Sequence, residues 1–92
     1  MITLDGEALR LDGAMTMSTA RRLDEAASPL LSRVRRIDLA AVSEVDSSAI
    51  ALLFGWMRTA DRPLALLSPP ASLKTLAEVY GVAELLGLDG QR

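Results

Sequence analysis

The sequence contains no cysteine and no histidine, and these two absences exclude much of protein chemistry. Without a thiol or an imidazole, the chain has no cysteine nucleophile, no histidine general base, no disulfide and no zinc site with such ligands. Aromatic residues make up only 3%, as one Phe, one Trp and one Tyr, so a base-stacking surface for nucleic acid is not expected. The composition argues against an enzyme.

The sequence also lacks a strong charge of either sign and a long apolar run. The net charge is -2 and the pI about 5.0, whereas nucleic-acid-binding domains usually carry a basic stripe. We interpret Arg33, Arg35 and Arg36 as a solvated edge rather than a phosphate site. No apolar run approaches the roughly 18 residues of a membrane span, and the N-terminus does not resemble a signal peptide. We therefore expect a soluble, cytoplasmic protein without a nucleic-acid partner.

The chain nevertheless has ample apolar material for a core. It has 92 residues, of which 50% are hydrophobic, and a mean hydropathy of +0.26. Neither phosphate-binding glycine motif, G-x-x-x-x-G-K-[ST] or G-x-G-x-x-G, occurs in it, and its paired carboxylates are adjacent or alternate surface charges. We predict a single domain spanning residues 1–92, with no cofactor and no metal site.

In the first third of the chain, apolar and polar residues alternate, and a helical pattern follows. Alternation around Asp5-Gly6 predicts a β-hairpin whose second strand ends at Asp12-Gly13. Ser18 or Thr19 is placed to cap a helix with apolar residues at three-to-four spacing. Pro29 falls inside that helical pattern, and we expect it to kink the helix. The alternative is a helix that stops just before and restarts with the proline in a first turn.

The rest of the chain alternates strands with helices. It predicts a strand over residues 37–39, a loop ending at Asp46, and then an amphipathic helix whose apolar stripe is Ile50, Leu53, Phe54 and Met57. Residues 64–67 are typical of a central buried strand. Ser68, followed by proline, predicts the start of a third helix and Gly81 its end. The tail fits an edge strand or a final helical turn. This order predicts an α/β domain with a mixed β-sheet of about four or five short strands and helices packed on it.

Asp46-Ser47-Ser48 is the most informative motif because it lies where a loop becomes a helix. The unpaired N–H groups and the dipole of a helix start favour a hydroxyl, a carboxylate or a phosphate there. The motif is either an ordinary cap or a regulatory site in which Ser47 is recognised or phosphorylated. Ser47 is not expected to be a nucleophile, because no histidine exists to deprotonate it and the sole lysine, Lys74, lies in the third helix.

Four apolar residues have two interpretations each. Trp56 lies off the apolar stripe, so it either rims the core or projects toward a partner, and Tyr80 has the same alternatives. Met15 and Met17 either fill the core or form a soft apolar contact surface.

The central stretch resembles the signature of STAS domains, the fold shared by anti-sigma-factor antagonists and the cytoplasmic tails of sulfate transporters. Three segments carry the resemblance: Ile37-Asp38-Leu39, Val45-Asp46-Ser47-Ser48 and Ile50-Ala51-Leu52-Leu53. The segment from Lys74 to Val82 contains a Thr-Leu-Ala-x-x-Tyr run. That run is similar to the MlaB group of STAS domains, the small cytoplasmic subunits of a bacterial phospholipid-transport ABC complex.

This resemblance implies a non-enzymatic subunit at the inner face of the inner membrane that supports outer-membrane lipid asymmetry. The implied partners are an MlaF-like ATPase and an MlaE-like permease. Ser47 matches the position that antagonists phosphorylate and that is Thr or Ser in MlaB proteins, and Asp46 matches the acidic residue before it. Ser48 and Trp56 are predicted to belong to the same partner interface. The alternative is an anti-sigma-factor antagonist switched by phosphorylation of Ser47.

Two segments depart from the family pattern. Ala49 stands where the family usually has glycine, and Ala14-Met15-Thr16 replaces an acidic Glu-Leu-Asp segment. That segment is part of the surface which antagonists present to their kinase, so its replacement weighs more against an antagonist than against an ABC subunit.

Overall fold

The computed structural model describes residues 2–88, which form one mixed sheet with helices packed against it. In chain order the elements are β1 (Ile2–Asp5), β2 (Ala8–Met15), α1 (Ala20–Ala27), a 3₁₀ helix (Ser28–Arg33), β3 (Arg36–Val45), α2 (Ser47–Ala60), β4 (Ala65–Leu67) and α3 (Ala71–Val79). The sheet has the strand order β1-β2-β3-β4, with β1 antiparallel to β2 and the other neighbours parallel. The predicted α/β fold is therefore confirmed.

The N-terminal hairpin forms as predicted, but its second strand is longer than expected. Asp5 pairs with Ala8, and Gly6 in the turn between them has a φ of 62°, which glycine adopts without strain. Gly13 does not end β2, so that prediction was wrong. Gly13 has a φ of 100° and lies next to a register shift in the β2–β3 ladder. The Asp12-Gly13 pair therefore accommodates an irregularity inside the strand and does not form a turn.

Strand β3 continues through a segment predicted to be a loop. Val42 pairs with Gly13 and Val45 pairs with Met15, so the strand runs to the residue before Asp46. The register shifts interrupt the alternation of buried and exposed residues, which is why the sequence pattern does not show this part of the strand. As a result, both β2 and β3 end beside the start of α2.

Strand β4 lies at the edge of the sheet rather than at its centre. It pairs with β3 alone among the described strands, and only Leu66 of its three residues is buried. The prediction of a central strand was wrong because a run of apolar residues does not distinguish a strand buried on two faces from a short edge strand.

Helices cover one face of the sheet. The cross-strand row Leu9, Ile37 and Leu66 is buried on that face. On the other face, Arg10 and Asp38 are opposite each other and at least partly exposed, with 3.9 Å between Arg10 Nη1 and Asp38 Oδ2. The core therefore lies in a single layer between the sheet and the helices.

Pro29 changes the type of helix rather than bending it. Helix α1 ends at Ala27, and the chain continues as a 3₁₀ helix with Pro29 in its first turn. The expected kink was wrong, and the alternative of a stop and restart is observed. Because proline has no N–H group, the α-helical hydrogen-bond ladder cannot continue through it.

Helix α3 starts later than predicted and ends as predicted. Pro70 occupies the N-cap position, whereas Ser68 has a φ of 52° and lies in the preceding turn, so the predicted serine cap was wrong. After α3, the Gly81 N–H donates to the Glu78 carbonyl at 3.0 Å, and Gly81 has a φ of 71°. The tail then forms hydrogen-bonded turns that bury Leu86 and Leu88, one of them closed by a helix-type bond from the Leu86 N–H to the Val82 carbonyl at 3.1 Å, and not an edge strand.

Gly55 in the middle of α2 gives a direct test of the packing. A methyl group at this position would meet no atom nearer than Arg58 Nη2 at 4.0 Å. We expect Gly55→Ala to raise the free energy of unfolding by about 0.5–1 kcal/mol in urea titrations, because alanine favours the helix. The reverse change at the exposed Ala51 of the same helix, Ala51→Gly, should lower it by a similar amount. A destabilised Gly55→Ala variant would contradict the packing described here.

Candidate functional site

Asp46 caps α2 at the motif singled out by the sequence. Its backbone is extended, with a φ of -137°, and its Oδ1 accepts the Ser48 N–H at 2.8 Å. The Asp46 carbonyl accepts the Ala49 N–H at 3.0 Å. Two N–H groups that a helix start leaves unpaired are thereby satisfied, and the cap interpretation is confirmed.

The same carboxylate also holds the loop between β2 and α1. Asp46 Oδ2 accepts the Met17 N–H at 3.0 Å, and the Asp46 N–H donates to the Met15 carbonyl at 3.3 Å. Sequence analysis missed this connection, because the two residues are 29 positions apart and no local pattern reports such a contact. One side chain therefore fixes the helix start and the neighbouring loop together.

These hydrogen bonds lower the pKa of Asp46 below its ordinary value of 3.8. The Met17 N–H is the largest cause, partial desolvation opposes it, and hydrogen bonds from Ser48 add to it. Because the folded state lowers this pKa, the carboxylate stabilises the fold above the unfolded pKa. That contribution is lost as the pH falls through the lower, folded value.

An Asp46→Asn variant tests this dependence. A neutral amide has a single oxygen and cannot accept both N–H groups as the carboxylate does. We expect the variant to be less stable than the wild type at pH 7, with a difference that shrinks as the pH falls below about 4. Urea titrations of the wild type and the variant at pH 7 and pH 3 measure the stability difference at each pH. A difference of equal size at the two pH values would show that the charge of Asp46 is not what stabilises the loop.

Further hydrogen bonds fix the shape of the β2–α1 loop. The Thr19 hydroxyl accepts the Thr16 N–H at 3.0 Å and donates to the Ala14 carbonyl at 2.9 Å. Thr19 thus occupies the N-cap position of α1 without capping it through its side chain, while Ser18 contacts the Thr16 hydroxyl at 3.1 Å. The predicted cap at these residues is not formed, because their hydroxyls bind the loop instead.

The two methionines of this region lie in different environments. Met15 is 1% exposed and belongs to the core, whereas Met17 is 80% exposed. Met15 is the last residue of β2 and points into the core, whereas Met17 lies in the turn between β2 and α1. Met15 therefore fills the core, as one interpretation predicted, and the exposed Met17 is left available for a contact.

Ser47 and Ser48 differ in exposure. Ser47 is the first residue of α2 and is exposed, and within residues 2–88 its hydroxyl has no hydrogen-bond partner. Ser48 is half-buried and lines a shallow groove between α1 and α2. This groove has a volume of about 320 Å³ and is lined by Ala20, Asp24, Ser48, Ala51, Leu52 and Gly55.

Trp56 is a core residue with no exposed surface for a direct partner contact. Its side chain is 1% exposed, and its Nε1–H donates to Asp24 Oδ1 at 2.9 Å. The prediction that it projects toward a partner was wrong, and Trp56 lies within the core rather than at its rim. Sequence analysis missed Asp24, whose partner lies 32 positions away.

Tyr80 is 55% exposed at the end of α3 and does not line the groove.

The three arginines form a solvated edge. Arg35 Nε lies 3.1 Å from Glu7 Oε2, and Arg36 Nη1 lies 3.9 Å from Glu7 Oε1. Arg33 and Arg35 are exposed and Arg36 is half-buried. Pairing with a carboxylate at the surface is the ordinary role of such residues.

Asp46 is poorly suited to accept a proton from a substrate. Both oxygens of Asp46 already accept N–H groups, and its lowered pKa makes it a weak base. Residues 2–88 contain no group of three acidic side chains arranged to hold a metal ion. Within residues 2–88 the longest helix, α2, has 14 residues, fewer than a membrane-spanning helix needs.

Solved structures with the same fold include two forms of one regulator. The unphosphorylated anti-sigma factor antagonist SpoIIAA has a TM-score of 0.61 at 20% identity, covering 85% of this chain and 80% of that one. The phosphorylated form of SpoIIAA, described as a Bacillus cell fate determinant, has a TM-score of 0.60 at 18% identity, covering 91% and 85%.

A third similar structure is a sulfate transporter family protein from Wolinella succinogenes. Its TM-score is 0.68 at 17% identity, covering 95% of this chain and 75% of that one. Identities this low establish a shared fold only.

No curated protein sequence matches the chain significantly. The family described as "Mlab, STAS domain" matches residues 1–87. The chain therefore belongs to the Mlab, STAS domain family.

Proposed function

We propose that the chain is a non-enzymatic regulatory subunit of an ABC-type phospholipid transport system. In this role it binds an MlaF-like ATPase subunit, which is assembled with an MlaE-like permease, at the inner face of the inner membrane. The family match over residues 1–87 supports the transport role. The observation that carries the binding role is the double use of Asp46, whose carboxylate accepts the N–H of Ser48 at the start of α2 and the N–H of the exposed Met17.

We call the exposed part of this region the docking surface and define it by Met17, Ser47 and the groove between α1 and α2. Its loop and helix start are fixed by hydrogen bonds before any partner arrives, so binding would cost little ordering of the backbone. Ala51 and Gly55 carry small side chains in the groove, which allow a partner helix to approach α2 closely. These features favour a protein partner.

In this proposal Ser47 of the docking surface does not act as a catalytic nucleophile. Ser47 has an exposed hydroxyl, but no histidine exists in the sequence and Asp46 is engaged by two N–H groups. A serine hydroxyl needs an adjacent base to act as a nucleophile. Ser47 is therefore proposed to be a recognition residue.

Affinity purification of the tagged chain from its native cells, followed by mass spectrometry, tests the proposal. We expect an ABC-type ATPase and its permease to be recovered with the wild-type chain. Recovery of a serine kinase or a sigma-factor regulator without the ATPase would overturn the proposal. It would favour the alternative in which phosphorylation of Ser47 switches an anti-sigma-factor antagonist.

A further inference from the structure

Strand β4 leaves one edge of the sheet without a partner strand within residues 2–88. The Ala65 N–H donates to the carbonyl of Arg35, just before β3, at 3.1 Å. Because successive residues of a strand direct their backbone groups to opposite sides, the N–H and C=O groups of Leu66 point away from β3. Leu66 is the middle residue of the three in β4. The open edge therefore presents one donor and one acceptor that no strand of the described chain engages.

A groove of about 730 Å³ lies along this edge, and we call it the edge groove. It is lined by residues 63–67 around β4, by residues 84–87 of the turns after α3, and by Arg35 and Met57. Two of its large apolar side chains are exposed, Leu67 at 38% and Leu85 at 69%. Arg35 and Glu84 are also exposed in this groove and carry opposite charges. Backbone hydrogen-bonding groups, apolar side chains and both signs of charge thus meet at one edge of the sheet.

We propose that the edge groove binds a second copy of this chain, with the two β4 strands paired antiparallel about a two-fold axis at Leu66. In such a pair, each Leu66 N–H donates to the carbonyl of the other Leu66, so all four groups are satisfied at once. Leu67 and Leu85 lose contact with water in the same contact. A short edge with one donor and one acceptor is therefore its own complement, and no other strand is needed to complete it.

The charges of the edge groove also favour a second copy. A two-fold axis produces every contact twice, so Arg35 of one chain faces Glu84 of the other, and the reverse. Glu84 takes part in none of the ion pairs within residues 2–88, whereas Arg35 lies 3.1 Å from Glu7. A groove with one cation and one anion does not select a strongly acidic or basic partner, but its charges complement those of its own copy.

Pairing at the edge groove leaves the docking surface uncovered. The edge groove shares no lining residue with the groove between α1 and α2. A pair of chains therefore presents two docking surfaces, and the pairing itself does not require the ATPase proposed above.

Sedimentation equilibrium of the purified full chain tests the pairing. Two hydrogen bonds and a small apolar contact make a weak interface, so we expect a reversible dimer with a Kd of about 0.1 mM. Leu67→Lys should weaken it at least about tenfold, because a lysine on an edge strand opposes pairing. Val79→Lys is the matched control, since Val79 is 74% exposed but lies on α3, outside the edge groove. We expect Val79→Lys to dimerise as the wild type does.

Two further measurements test the geometry of the pair. Glu84→Arg should weaken the dimer about twofold to fivefold, and adding Arg35→Glu in the same chain should restore it. Amide exchange of Leu66, followed by NMR, should slow as the concentration rises from about 0.01 mM to about 1 mM.

A chain that stays monomeric at about 1 mM would overturn the inference. So would a Leu67→Lys variant that dimerises as the wild type does, or a dimer in which the exchange of Leu66 is unchanged. Assemblies that grow beyond two copies would also overturn it, because they indicate that β4 pairs with the β1 edge of another copy in an open chain. None of these results depends on whether the ATPase binds.

Discussion

If the proposed ATPase is the partner of this chain, a glutamate in place of Ser47 should weaken its binding at least about tenfold while the domain stays folded. The Ser47 side chain is exposed and has no hydrogen-bond partner within residues 2–88, so the fold does not depend on it. A carboxylate there adds a second negative charge directly beside Asp46, in the middle of the docking surface. Titration of the purified ATPase with each variant measures the effect.

Ser72→Glu is the control for Ser47→Glu. Ser72 is also an exposed serine in the first turn of a helix, α3. A carboxylate near either helix start should stabilise the helix by about 0.3–1 kcal/mol. We therefore expect both variants to fold at least as stably as the wild type, and only Ser47→Glu to lose the partner. Equal binding by the two variants would place the contact elsewhere on the domain.

Trp56→Ala is expected to lower the free energy of unfolding by about 3–5 kcal/mol, the largest stability effect proposed for this chain. The side chain is 1% exposed, and the hydrogen bond that its Nε1–H donates to Asp24 joins α2 to α1. Because small domains are stable by only about 5–15 kcal/mol, we expect much of the variant to be unfolded at moderate urea concentrations. Urea titration followed by circular dichroism gives the value.

Trp56→Phe separates the stability of the core from binding. It keeps an aromatic ring in the core but removes the N–H donor, so we expect a smaller loss of stability than for Trp56→Ala. Its folded fraction should bind the ATPase as the wild type does, because Trp56 has no exposed surface. A folded Trp56→Phe variant that has lost binding would show that the contact between α1 and α2 shapes the docking surface.

Local sequence patterns predicted the elements whose hydrogen bonds are local. The hairpin turn at Gly6, the start of α2 after Asp46 and the end of α3 before Gly81 each depend on residues within one turn. The extent of β3 and the edge position of β4 depend instead on neighbouring strands that are distant in the sequence. Their apolar pattern indicates a strand but does not indicate which strands pair with it.

The same division holds at the candidate site. The sequence placed Asp46 and Ser47 at a helix start, because the cap is a local motif. It did not reveal that Asp46 holds Met17 or that Asp24 accepts from Trp56, since each contact joins residues about thirty positions apart. The first contact holds the backbone of the exposed Met17, and the second joins the buried Trp56 to α1.

Site-specific crosslinking tests the central claim most directly. A photoreactive benzoylphenylalanine in place of Ser47, compared with one in place of Ser72, reports which helix start faces the partner in the native cells. We predict a crosslink to an ABC-type ATPase from position 47 and none from position 72. A crosslink to the ATPase from position 72 alone, or to a serine kinase from position 47, would contradict the account.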